Sequence, residues 1–120
     1  MDASTQRSLA RIISQGLVTS TAAEDPHDTV RTLLALQAQQ PSSVPWAINL
    51  RLRMPSIAQI DQAFDNCQLV RSWPMRGTIH VTCGEDHHWL RLLLLHRYNG
   101  WLRSFEEEGL TRGLLNEAAQ

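Results

Sequence analysis

The 120-residue chain has no lysine: all eleven of its cationic side chains are arginine. No side-chain amine therefore exists to form a Schiff base. It has two cysteines, Cys67 and Cys83, too few for a disulfide framework and too far apart to hold zinc by themselves. A reducing compartment is the expectation. The longest apolar run, "WLRLLLL", is broken by Arg91 and ended by His96. It falls short of the roughly 18 uninterrupted apolar residues a membrane span needs. The opening "MDASTQRSLARIISQG" lacks the apolar region of a secretory signal. Repeats and low-complexity segments are missing too.

What remains is a chain with 42% hydrophobic residues and four tryptophans, enough for one core. Its net charge of −1 hides an uneven distribution. Residues 51–105 hold seven arginines against four acidic residues, a balance of +3, and residues 106–120 hold four glutamates against Arg112, a balance of −3. A basic middle of this kind can form a DNA-facing surface.

Helical spacing predicts a first helix through Leu9, Ile12, Ile13 and Leu17, capped by Ser4 or Thr5 and ended at Gly16. Asp25-Pro26 starts a second, with Val30, Leu33, Leu34 and Gln37 on one face. "PSSVPWAINLRLR" starts a third, ending in Arg51 and Arg53, and Pro55-Ser56 opens a fourth through Phe64. "LVRSWPM" and "TIHVT" flank Arg76-Gly77 and read as a β-hairpin. Pro74 cannot donate to a ladder, so its strand is expected at an edge or bulged. "GEDHHWLRLLLLHRY" returns to helix, with Glu85 and Asp86 at its positive end. The tail is a weaker helix, broken at Gly109 with Thr111 as a cap. Its Leu110, Leu114 and Leu115 would need a partner if exposed.

The expected fold class is thus α+β and mostly helical. The element order is that of a winged-helix module with one β-hairpin wing, followed by C-terminal linking helices. Residues 1–83 form the DNA-binding module. Residues 84–120 form the helices that start a linker to further modules. Order alone also suits other small α+β domains.

Three strings, "LLALQAQQP", "LVRSWPMRGTIHVT" and "GEDHHWL", together resemble the N-terminal part of the AlkZ/YcaQ family of bacterial DNA glycosylases. In that pattern a Gln-x-Gln or Gln-x-Asp pair is followed by an Arg-Gly-Thr-x-His hairpin. Here the pair is Gln37-Ala38-Gln39 and the hairpin carries Arg76-Gly77-Thr78-Ile79-His80. Family members run much longer, with tandem winged-helix modules, and this chain stops inside what resembles the first linker. The resemblance implies excision of N-alkylated purines by N-glycosidic hydrolysis, with double-stranded DNA as partner, no cofactor and no metal. It implies a cytoplasmic, nucleoid-associated protein that either dimerises or works with further modules. A non-catalytic winged-helix binder, or an interaction fragment, is the alternative.

The glutamines Gln37 and Gln39 are the catalytic candidates. On a regular helix they would point about 200° apart, at about 100° per residue. Pro41 disfavours helical geometry at Gln40, so the helix is expected to unwind over residues 38–40. Both amides can then face one cleft. A purine alkylated at N7 or N3 is already cationic and leaves without protonation. The enzyme needs only a positioned water and partial negative charge near the sugar, and amide oxygens supply both. Glutamine is not an efficient general base. Gln40 is expected to be solvated.

The DNA-contact candidates are Arg71, Arg76, His80, Arg51 and Arg53. Arg71 and Arg76 either reach phosphates or a narrow minor groove, or are solvated or paired with Glu85 or Asp86. His80 either faces DNA or is tied to a backbone carbonyl. Trp73, Trp89 and Trp101 read as core. Asp86-His87-His88 diverge on a helix and lack a third ligand.

Overall fold

The computed structural model describes residues 1–75, 77–94, 107 and 109. Five helices and one antiparallel sheet follow in the order α1 (Ala3–Ser14), α2 (Pro26–Leu33), β1 (Ala35–Gln37), α3 (Val44–Asn49), α4 (Ile57–Asp65), β2 (Leu69–Met75), β3 (Thr78–Cys83) and α5 (Gly84–Leu94). The expected mostly helical α+β class holds. The expectations for Arg76, His96, Trp101, Leu110, Thr111, Leu114 and Leu115 lie outside the described residues.

Local chemistry explains the helix boundaries. Asp2, rather than Ser4 or Thr5, caps α1, accepting from the Thr5 N–H at 2.7 Å. The earlier position suits better, because the carboxylate also meets the positive helix end. Gly16 adopts φ +69 past the end, and the Gly16 and Leu17 N–H groups return to the carbonyls of Ile13 and Ile12. Asp25 caps α2 through Asp28 N–H and Pro26 follows it, as the sequence predicts. Ser56 caps α4 through Gln59 N–H.

Two expectations need correction. α2 ends at Leu33, not beyond Gln37. Leu34 turns the backbone to φ +64 and the chain runs on as β1. The exit is therefore set at Leu34, six residues before the proline-adjacent Gln40, by strand pairing that sequence periodicity did not register. The third helix is also shorter: a 3-10 turn at Pro41–Ser43 precedes α3, and Arg51 and Arg53 lie past its end.

The sheet order is β1-β3-β2. Gly77 takes φ +67 in the two-residue connection of the hairpin, whose last pair is Met75 with Thr78. β2 is an edge strand, and its register shifts between Ser72 and Met75, so Pro74 sits in both settings that tolerate it. One sheet face holds Leu36, Ala38, Leu69, Ile79, Val81 and Cys83. It packs on Val30, Val44, Ile48, Leu52, Ile60, Ala63 and Phe64 to make the core. α5 packs on β2 and β3. The three described tryptophans are not core: Trp46 is 66% exposed, Trp73 55% and Trp89 43%. Small aliphatic residues fill this thin interior, and Trp89 instead donates from Nε1 to Asp86 at 2.7 Å. α1 buries no residue at all.

α5 leaves β3 through Gly84. A Cβ there would stand 2.3 Å from the Cys67 carbonyl oxygen, which is backbone and cannot swing aside. Gly84→Ala is expected to cost about 2–3 kcal/mol or more, read as a lower urea midpoint with unchanged slope. Ile48→Ala, at a fully buried position, is expected to cost about 2–5 kcal/mol.

Candidate functional site

The glutamine segment is extended. Ala35, Leu36 and Gln37 pair with Thr82, Val81 and His80 of β3. Ala38 continues that register, its N–H donating to the Ile79 carbonyl at 2.8 Å. Side chains alternate along such a chain, and the burial follows: Gln37 and Gln39 are exposed, while Ala38 between them is fully buried. Both glutamines thus take the face opposite the core, by a period of two rather than by helix unwinding.

The ladder should next pair Ile79 N–H with the Ala38 carbonyl. It does not. That carbonyl accepts from Arg71 Nε at 3.0 Å, and the Ile79 N–H donates to Gln39 Oε1 at 3.2 Å. The Gln39 carboxamide therefore stands in for a main-chain carbonyl at the end of β1. Its NH₂ group and second lone pair stay available. Arg71 also reaches the Gln39 carbonyl from Nη2 at 3.5 Å. The guanidinium thus clamps the backbone of both residues rather than pairing with Glu85 or Asp86. Arg71 also borders an open pocket of about 240 Å³ lined by Pro41, Val44, Pro45, Ile60, Asp61 and Phe64.

His80 lies directly opposite Gln37, and Ser72 of β2 directly opposite His80. The three form a row across the sheet. Gln37 and His80 make the narrow, non-hydrogen-bonded kind of pair, whose side chains approach most closely. His80 is buried, and its Nδ1 is 3.0 Å from the Thr78 carbonyl. A carbonyl only accepts, so Nδ1 carries a proton and donates it there. Ser72 Oγ contacts His87 Nδ1 of α5 at 3.1 Å. Thr82, on the same face, is fully buried with its hydroxyl unpartnered.

The remaining candidates are engaged elsewhere. Arg51 donates to the Gln15 carbonyl at 2.8 Å and the Ala47 carbonyl at 2.7 Å, and its partial burial lowers its pKa. Arg53 pairs with Glu24 at 2.8 Å on the surface. Gln40 is exposed and donates to Ser42. Glu85 meets His27 at 2.7 Å, and its carboxyl is held low first by its own backbone N–H and then by His27.

A family model described as DNA glycosylase AlkZ-like matches residues 30–119. The chain belongs to the AlkZ-like DNA glycosylase family. Its fold is similar to that of Streptomyces sahachiroi DNA glycosylase AlkZ, with a TM-score of 0.76 and 26% identity over 98% of this chain. The chain spans 32% of that protein's length. No curated protein matches it.

Sequence reasoning toward the AlkZ-like family found the glutamine pair and the hairpin. It missed β1, the Arg71 clamp and the role of Gln39 as a strand end. A three-residue strand leaves no periodicity, and a side chain standing in for a carbonyl leaves no motif.

The ladder geometry makes a direct prediction. Gln39→Ala removes the acceptor for Ile79 N–H, so that amide should exchange with solvent roughly five- to tenfold faster, equivalent to about 1 kcal/mol. Gln39→Glu keeps an acceptor and should keep the protection. Both are read by NMR hydrogen exchange.

Proposed function

We propose that this chain is the water-positioning winged-helix module of an AlkZ-type DNA glycosylase that releases N-alkylated purines from double-stranded DNA. The observation that carries the reading is the extended Gln37-Ala38-Gln39 segment, whose two amides share one face beside a β-hairpin. The order α2-β1-α3-α4-β2-β3, with strand order β1-β3-β2, supports the winged-helix assignment.

In this reading Gln37 and Gln39 hold a water near the anomeric carbon of the damaged nucleotide. Their oxygens face the positive charge that develops as the N-glycosidic bond breaks. The water oxygen bonds to that carbon, the bond electrons return to the purine, and the water's proton leaves to solvent. The purine was cationic, so it departs neutral without a general acid. Gln39 is pre-oriented because one lone pair of its oxygen is already fixed by Ile79 N–H. His80 supports Gln37 from across the sheet. Arg71 acts through the backbone of residues 38 and 39, as a positioning residue.

A plain helix-turn-helix reader is less well supported. α4 occupies the recognition-helix position, yet "IAQIDQAFD" carries Asp61 and Asp65 and no cation. A helix of that charge suits a phosphate-lined major groove badly. Contact with DNA then falls to the wing, whose sequence holds Arg76, and to Arg53, whose surface pair with Glu24 would open on binding. Such a protein works beside the chromosome in the cytoplasm.

The test is single-turnover release of N7-methylguanine from duplex DNA. The parent chain should release base, and Gln37→Ala and Gln39→Ala should each slow release by about a hundredfold or more. Circular dichroism would establish that both variants fold. No release by the parent, or undiminished release by both variants, overturns the assignment. DNA binding should weaken with salt as phosphate counterions are displaced.

A further inference from the structure

Three element ends converge away from the glutamines. His27 lies in the first turn of α2, Cys83 closes β3, and Glu85 lies in the first turn of α5. One ligand atom from each, an imidazole nitrogen, a thiol sulfur and a carboxylate oxygen, lies within 4.8 Å of the other two. His27 Nε2 is 2.7 Å from Glu85 Oε1. The thiol of fully buried Cys83 points at the His27 carbonyl, 3.6 Å away.

Redox or nucleophilic chemistry does not suit this cysteine. Burial, with Glu85 and Asp86 nearby, pushes its thiol up to about 11, so little thiolate forms at neutral pH. What the cluster offers is a mixed donor set. A buried sulfur beside an imidazole rejects hard ions such as magnesium and calcium and suits a borderline metal.

We propose that His27, Cys83 and Glu85 bind a zinc ion that staples the starts of α2 and α5 to the end of β3. Zinc bonds of about 2.0–2.3 Å at tetrahedral angles put ligand atoms about 3.4–3.7 Å apart. The His27–Glu85 contact, now 2.7 Å, therefore opens by under about 1 Å, and the sides to the Cys83 sulfur, each within 4.8 Å, close by at most about 1.4 Å. Both adjusting side chains can move: His27 is 26% and Glu85 57% exposed. Water from that open side takes the fourth position. On binding, the Cys83 S–H bond breaks, a sulfur–zinc bond forms and the proton goes to solvent. The ion replaces the hydrogen bond between His27 and Glu85. A second carboxylate pair, Asp25 and Asp28, has oxygens within 4.8 Å of a His27 ring nitrogen. The site is independent of the glycosylase reading.

The experiment is titration of the metal-free chain with Co²⁺, followed by competition with Zn²⁺. A thiolate-to-cobalt charge-transfer band should grow to one equivalent and be abolished by zinc. Cys83→Ser should remove the band, and Cys67→Ser should leave it. His27→Gln and Glu85→Gln should each weaken zinc binding by roughly a hundredfold, since loss of a ligand costs at least as much as loss of an outer partner. Absence of the band, its survival in Cys83→Ser, or its loss in Cys67→Ser overturns the proposal. If Cys83→Ser does not fold, the two more exposed variants decide it: unchanged zinc affinity in both also overturns it.

Discussion

The pairing of β1 with β3 is the interaction on which this module depends. To make it, the chain must abandon a helix within one residue, and Leu34 does so at φ +64 and ψ −46. That conformation is sparsely populated for a branched side chain and costs on the order of 1–3 kcal/mol. The return is a third strand, which gives the hairpin a partner on the side of β3 away from the β2 edge. It also changes the side-chain period from 3.6 to 2. Two glutamines that a helix would set on opposed sides become neighbours on one face. Backbone strain is retained where its surroundings over-determine it. Here the Ala38 N–H, the Gln39 carboxamide and the Arg71 guanidinium all tie the segment down.

The same geometry explains which parts of the fold could be read in advance. Caps and turn residues act locally, so Asp25-Pro26, Ser56 and Arg76-Gly77 announced their elements at the right places. The edge position of β2 followed from Pro74 lacking an N–H. β1 was invisible because it is three residues long and preceded by apolar residues at helical spacing. The local preference of "TLLALQ" is helical, and a non-local ladder overrode it. The tryptophans misled for a different reason. Their size argues for burial in general, but the interior between three short helices and a narrow sheet is filled mostly by Val, Ile, Leu and Ala. The glutamines themselves were legible through their motif. Their supports were not, since Arg71 is separated from Ala38 by 33 residues.

Arginine use divides along the same lines. Arg71 and Arg51 each spend their guanidinium on main-chain carbonyls across the fold. A planar five-donor fork suits that task, and an ammonium does not reproduce it. A chain with arginine as its only strong base has thus put two of them to structural use. The scaffold gains nothing obvious from α4 as a DNA probe, given its acidic residues. Its service is to back the sheet, through Ile60, Ala63 and Phe64, while the opposite face presents the polar row of Gln37, His80 and Ser72.

α1 stands apart from all of this. Twelve residues long and without a buried side chain, it presents Leu9, Ile12 and Ile13, and Leu17 follows just past its end, each about two-fifths or more exposed. A helix of that length is marginal on local terms alone. Its link to the body is concentrated at one end, where Arg51 grips the Gln15 carbonyl. The amino-terminal dozen residues therefore melt as a separate cooperative unit. Heating or mild urea would release them while the sheet stays assembled, in a first unfolding step too small to register in the main calorimetric peak.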